Sequence, residues 1–275
     1  MKLNSDVLLG TKSVFIPKVG KVRSPRLREF MCDYESGGLL PDYHTYRTLL
    51  SIAVANAEDT FELFGVKDKE WWDSQSDEWK RSQNILTLIN SNLLKSIATH
   101  SYKEALNYFF EDEVQWLEDD NCYVFYNGMV NDQNEEELVI TGVLTSDNLD
   151  MVIGTIAQMN SIDLSTVVEE KPKEFKSNRI KELFEKIQKG KKEMEKTKMK
   201  KDTEMYQIPN LISSLVAQNG GITYLNVFDL TVNQLFDMVR KIQKLKHIDI
   251  RARNMSVWGS KDKNDTFNPS IEWLS

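Results

Sequence analysis

The chain has 275 residues, of which 40% are hydrophobic and 28% charged. That is the composition of an ordinary globular protein with material for one large core or two modest ones, and it excludes global disorder. No run approaches the roughly 18 to 20 apolar residues of a membrane span, and the opening MKLNSDVLLGTKS lacks the apolar stretch of a secretory signal. A soluble protein that stays in the cell that makes it is therefore expected.

The net charge of -7 hides a segregation. Residues 104–170 contain sixteen acidic residues and no Lys or Arg, whereas residues 171–201 carry thirteen basic residues against five acidic ones. Such a change of sign marks a seam. The expected organisation is an α+β domain over 1–160, a charged linker and long helix over 161–205, and a smaller helical domain over 206–275. Cys32 and Cys122 lie far apart with no second ligand pair, which predicts two ordinary buried thiols rather than a disulfide framework or zinc site.

In chain order, residues 13–23 alternate apolar and polar groups around Pro17 and Gly20, the pattern of a short hairpin with an edge proline. Ser24-Pro25 predicts a helix start, with Ser24 as N-cap and residues 26–31 helical until Gly37-Gly38. Pro41-Asp42 opens a second helix with Tyr43, Tyr46, Leu49, Leu50 and Val54 on one face, beside which His44 is expected to pack. Trp71, Trp72 and Trp79, then Ile85, Leu88, Ile89, Leu93, Leu94 and Ile97, keep the helical period. Ser101 and Glu104 form a capping-box signature for a further helix through Phe110.

The pattern then changes. Residues 114–117, 123–126 and 138–141 are β-branched and aromatic runs between acidic turns, which predicts a small antiparallel sheet. Thr145 followed by Asp147 predicts a capped helix with Leu149, Val152, Ile153 and Ile156 inward. Beyond a linker at 163–172, residues 175–200 read as a long charged helix. Its thin stripe of Ile180, Leu183, Ile187 and Met194 is broken by Gly190, and a solvated helix is favoured over a coiled coil. A short apolar helix over 208–217 closes at Gly220-Gly221. Thr231 and Gln234 form a second capping box for a helix with Leu235, Phe236, Met238, Val239, Ile242 and Leu245 inward. The tail from His247 mixes an apolar alternation, Ile248, Ile250 and Ala252, with a polar loop and a late Trp273.

The search for chemistry yields no catalytic site. His44, His100 and His247 form no i, i+4 metal pair, and no nucleophile elbow, Walker loop or dinucleotide-binding turn is present. Among 42 carboxylates no acid and base pair stands out, and the runs 111–113 and 118–120 fall at predicted turns where solvated charge is expected. Residues 132–136 resemble the start of a calcium loop but lack its sixth-position glycine. A protein that is not an enzyme and needs no cofactor or metal is expected. Partner binding has better candidates. Trp71, Trp72 and Trp79 suit either a hot spot or a core, and Trp273 suits docking on a core or a partner. Lys189, Lys191, Lys192 and Lys196 could contact phosphates, but the basic stretch holds almost no arginine and only Phe175 and Phe184 as stacking platforms. Nucleic-acid binding through 171–201 is a secondary reading; complementary opposite patches suit self-association or a charged partner.

Two segments resemble a known family. The first is a Leu-Leu-Gly opening, a short hairpin and then Ser24-Pro25-Arg26-Leu27-Arg28-Glu29. The second is Leu211-Ile212-Ser213-Ser214-Leu215, followed by Asn226-Val227-Phe228-Asp229-Leu230-Thr231-Val232-Asn233-Gln234-Leu235-Phe236-Asp237 and a late Trp. Together they cover about a quarter of the chain and resemble small phage proteins encoded in the tail-assembly region. The resemblance implies a tail assembly chaperone-like protein of the host cytoplasm that binds tape-measure or tail tube proteins. A connector or baseplate component retained in the virion is the alternative.

Overall fold

The computed structural model describes residues 2–31, 43–57, 59–60, 64, 69–90, 97–120, 122–130, 136–162, 207–218 and 220–258. The fold is α+β and mainly helical, with two small antiparallel sheets. The chain divides into two compact units, one of Met1–Leu164 with Phe228–Asn233 and the other of Ser165–Val227 with Gln234–Ser275. Apart from Ser161 and Ile162, the expected linker and charged helix over 161–205 lie outside the described residues.

The first unit opens with α1 (Ser5–Leu9) and the expected hairpin, β1 (Val14–Ile16) paired with β2 (Gly20–Val22). In both strands the outer residues are buried and the middle one is exposed, as alternation demands. Helix α2 (Arg28–Met31) starts two residues later than the Ser24-Pro25 signal indicated. Arg26 forms a bridge with Thr231, and the Leu27 amide donates to the Leu230 carbonyl at 2.9 Å, so this backbone is extended rather than helical. Glu29 takes over the end, accepting from the Arg26 amide at 2.8 Å, and Ser24 is not a cap.

Helix α3 (Tyr43–Ala53) buries Tyr46, Ile52 and Ala53, leaves Leu49 and Leu50 half-buried, and turns His44 to solvent instead of packing it. The Tyr46 ring stacks on Phe30 of α2, with centroids 4.0 Å apart and planes at 6°. The tryptophan region is divided into α4 (Lys69–Ser74), α5 (Asp77–Ser82) and α6 (Ile85–Asn90). Ser76 stands at the break and accepts the Trp79 amide at 3.2 Å as the N-cap of α5. Helix α7 (Ile97–Phe109) begins four residues before Ser101, so the predicted capping box there is interior helix, and Glu104 pairs instead with His100 at 3.3 Å.

Helix α7 is the axis of this unit. It buries Ala98, Tyr102, Ala105, Leu106 and Phe109, packs α3 on one side and lies against β3 (Glu113–Leu117) on the other. Strands β3, β4 (Cys122–Val130) and β5 (Glu136–Leu144) form an antiparallel sheet in that order. Its helix-facing side carries Tyr123, which meets Tyr102 at 5.4 Å and donates from its hydroxyl to the Thr99 carbonyl at 3.0 Å. Phe125 on the same side meets Phe110 at 4.5 Å. Helix α8 (Ser146–Met159) follows as predicted from Thr145, whose amide is capped by the Asn148 side chain at 2.8 Å. Leu149, Val152 and Ile156 are buried and Ile153 is half-buried. The helix ends at Asn160, which is buried. Its side chain accepts from the Tyr46 hydroxyl at 2.9 Å and donates to the Ile156 carbonyl at 2.8 Å, tying α3 to the end of α8.

The sheet's two edges are blocked by different devices. On β3 the Asn107 side chain accepts from the Val114 amide at 2.7 Å and donates to the Val114 carbonyl at 3.3 Å, standing in for a neighbouring strand. On β5 the Val143 amide donates to the Lys18 carbonyl at 2.9 Å, so the turn of the β1–β2 hairpin covers that end. A β-bulge lies there, with Gly142 opposite Phe125 and Ile140 opposite Tyr126. A Cβ on Gly142 would overlap the carbonyl oxygens of Lys18 and Val19, so only glycine admits this approach. Asp112, expected as solvated turn charge, is buried under the same hairpin, where it accepts from the Lys21 amide at 3.4 Å.

The second unit contains α9 (Ile208–Gln218) and most of α10 (Val232–Trp258). Helix α10 starts directly after Thr231, as the capping signal predicted, but runs 27 residues. Ile248, Ile250 and Ala252, which alternate in sequence, therefore lie on continuous helix, with Ile248 buried and Ile250 exposed. A 3-10 turn, Val227–Asp229, precedes it.

Candidate functional site

The structure brings the three tryptophans together across the α4–α5 break. Trp79 meets Trp71 at 5.6 Å and Trp72 at 5.7 Å, both edge to face. Trp72 is buried, whereas Trp71 and Trp79 are half-buried. The seven-residue spacing of Trp72 and Trp79 thus reflects two short helices folded on each other at the Ser76 cap, with the rings packed together and Trp71 and Trp79 still partly open to solvent. Lys189, Lys191, Lys192, Lys196 and Trp273 lie outside the described residues.

Among the described residues no group of three or more His, Cys, Asp or Glu converges in a way that could hold a metal ion. Among the described residues, the groups whose acidity the fold shifts most are tyrosines. Burial pushes the phenols of Tyr46, Tyr102 and Tyr123 well above their ordinary range, as expected of core aromatics. Tyr108 is raised mainly by burial and further by Glu29, against the opposing pull of Arg23, whose guanidinium lies 5.0 Å from the ring centroid. Cys122, expected to be buried, is only partly so; desolvation and the neighbouring Asp120 raise its thiol, the opposite of an activated nucleophile.

Among the described residues, Leu245, Lys246, Ile248, Asp249 and Ala252 line an open groove of about 410 Å³ on α10. A cleft of about 170 Å³ in the second unit is lined by Leu211, Leu215, Val239 and Ile242 with Ser214, Gln218 and Gln243 at its rim. Small-molecule sites usually occupy roughly 300 to 1,000 Å³, so this cleft suits one apolar side chain rather than a cofactor. The convex surface beside it is more informative. In the turn before α10, Asn226 accepts the Thr223 amide at 2.8 Å and donates to the Gly221 carbonyl at 3.1 Å. That ring of bonds fixes a loop whose Tyr224 and Leu225 side chains are exposed, and Leu225 is 91% exposed. Toward the end of α10, Ile250, Val257 and Trp258 are likewise exposed. Pre-organised apolar groups of this kind are the usual substance of protein-binding surfaces.

The comparisons with known proteins bear on this same region. Residues 197–275 match the family model described as the YomV second domain. That model describes a phage-derived domain, which supports a phage origin for the protein. No curated protein and no solved structure matches the chain. The matched domain holds α9, the Tyr224-Leu225 loop and α10, so the exposed apolar groups belong to the matched part of the chain. No helix among the described residues is long and apolar enough to cross a membrane.

By sequence the tryptophans suit a hot spot or a core alike and the basic segment is a secondary candidate, while the α10 surface is not among the candidates. The signal was present: Lys246, Ile250, Arg253 and Val257 recur at intervals of four, three and four, a helical row mixing basic and apolar residues. The two-residue alternation of Ile248, Ile250 and Ala252 obscured it.

Proposed function

We propose that this phage protein acts in tail assembly as a non-catalytic, chaperone-like factor that holds tape-measure or tail tube proteins in the host cytoplasm by reversible contacts. The observation that carries the reading is the phage-derived domain at 197–275 with its fixed, exposed Tyr224-Leu225 loop and apolar end of α10. Small exposed apolar groups among charges favour interfaces of modest size, which form and dissolve as an assembly factor requires.

Co-expression of the full chain with the tape-measure and tube proteins of the same phage tests it. The expected result is co-purification with at least one of them, reduced at least tenfold by the pair Leu225→Asp and Trp258→Asp. Both substitutions are at exposed positions, and circular dichroism checks that the double variant keeps the fold. Absence of association with either protein contradicts the proposal.

A further inference from the structure

Helix α10 has a second apolar side besides the one it turns to α9. In the cleft shared with α9 its walls are Val239, Ile242 and Gln243. Further along, Leu245, Ile248, Ala252 and Met255 recur at intervals of three, four and three, the spacing of a helix seam that packs on another segment. At 3.6 residues per turn the middle of this stripe lies roughly 130° round the helix from Val239 and Ile242, so the side facing α9 is a different one. Ile248 is buried, Ala252 and Met255 are half-buried, and Leu245 is 43% exposed. The open groove of about 410 Å³ runs along the stripe, and its described walls all belong to α10.

The chain carries a candidate occupant directly after the helix. Residues 259–275 lie outside the described residues, but the matched domain, 197–275, includes them together with α9 and α10. Their sequence has two halves. Residues 259–265, Gly-Ser-Lys-Asp-Lys-Asn-Asp, are turn formers, and residues 266–275 hold Phe267, Ile271, Trp273 and Leu274. Four large apolar groups in so short a stretch are more than a solvated tail carries. The reach is sufficient. From Trp258 back to Leu245 is about 20 Å along the helix, and nine residues after the turn extend to about 30 Å. A segment tethered this closely meets the groove at an effective concentration of roughly millimolar, far above that of any separate partner.

We propose that segment 259–275 turns back through its polar half and packs Phe267, Ile271, Trp273 and Leu274 on the Leu245–Ile248–Ala252–Met255 stripe of α10 in the same copy. Ile250 and Val257, 60% and 68% exposed, lie on roughly the opposite side of the helix and stay open. The groove is thus closed from within the chain, and the side that remains open is the one available to other proteins. The inference goes beyond the assembly role and does not depend on it.

Two measurements on the full chain test this. In the first, the photo-crosslinker benzoylphenylalanine replaces Trp273, and the irradiated protein is mapped by mass spectrometry. The expected product has the mass of one chain and joins position 273 to residues 245–255. A link to any other segment, a link between two copies, or no link overturns the proposal. In the second, Phe267→Ser, Ile271→Ser, Trp273→Ser and Leu274→Ser are combined, which keeps the length of the segment and removes its apolar groups. Amides of residues 245–256 are expected to exchange with solvent at least tenfold faster than in the wild type, while those of α9 keep their rate, because cover on the stripe is what protects the far half of α10. Unchanged exchange at 245–256 overturns it equally.

Discussion

Replacing Gly142 by valine is expected to destabilise the first unit by roughly 3 kcal/mol or more, the upper range for forcing atoms into a packed site. A Cβ at this position overlaps the backbone oxygens of Lys18 and Val19, and backbone cannot rotate away as a long side chain does. Relief requires the β1–β2 turn to lift off β5. That breaks the bond from the Val143 amide to the Lys18 carbonyl and uncovers Ile16 and Val19, which are fully buried. Against a typical domain stability of about 5 to 15 kcal/mol, this is a large fraction. Gly128 on β4 is the control: nothing lies within 4 Å of a Cβ there, so Gly128→Ala is expected to change stability by no more than about 0.5 kcal/mol. Urea denaturation followed by circular dichroism measures both. A Gly142 variant as stable as the Gly128 one would show that the close approach is absent in solution.

The second large effect concerns residues 228–233, remote in sequence from the unit they complete. Beside the Leu27 to Leu230 bond, the Asn233 side chain donates to the Leu8 carbonyl at 2.9 Å and accepts from the Ser161 hydroxyl at 2.7 Å. Arg28 pairs with Asp229, and Thr231 and Val232 are buried. Three hydrogen bonds at about 1 kcal/mol each and one buried valine at about 1.5 to 3 kcal/mol make the segment worth roughly 4 to 6 kcal/mol to the first unit. A fragment ending at residue 164 is therefore expected to be marginal or unfolded, and its Leu27 amide to exchange rapidly with solvent. Hydrogen exchange of the fragment and the full chain checks this. Equal protection of Leu27 in both would contradict the arrangement.

Much of the fold was legible where a local signal and its tertiary context agreed. The alternation around Pro17 and Gly20, the aromatic runs of β3 and β4, and the Thr145 and Thr231 helix starts all rest on short-range chemistry that packing preserves. The misreadings share a cause. Ser101 and Glu104 have the spacing of a cap, but the apolar positions of α7 begin with buried Ala98, so the helix starts earlier and the polar pair rides on its surface. Ser24 precedes a proline, yet bonding of Leu27 to Leu230, some two hundred residues away, holds that backbone extended. No window of local sequence contains that partner. Asp112 looks like its solvated neighbours in an acidic run, and only the hairpin that folds over it makes it a buried acceptor.

The candidate binding surface was less legible than the fold. Tryptophans draw attention by type, but their exposure is set by the turn at Ser76, which folds Trp79 back onto Trp71 and Trp72. The row on α10 consists of residues common on any solvated helix. It becomes distinctive only once the helix is seen to continue to Trp258, well past the reach of α9.

Transient adhesion during assembly, as proposed, requires that the protein leave before the particle is complete. Quantitative mass spectrometry of purified phage particles, set beside lysates of the same infected cells, is expected to find the chain abundant in the lysate and absent from finished particles. Its presence in particles at a fixed stoichiometry, as a connector or baseplate subunit would show, contradicts that reading.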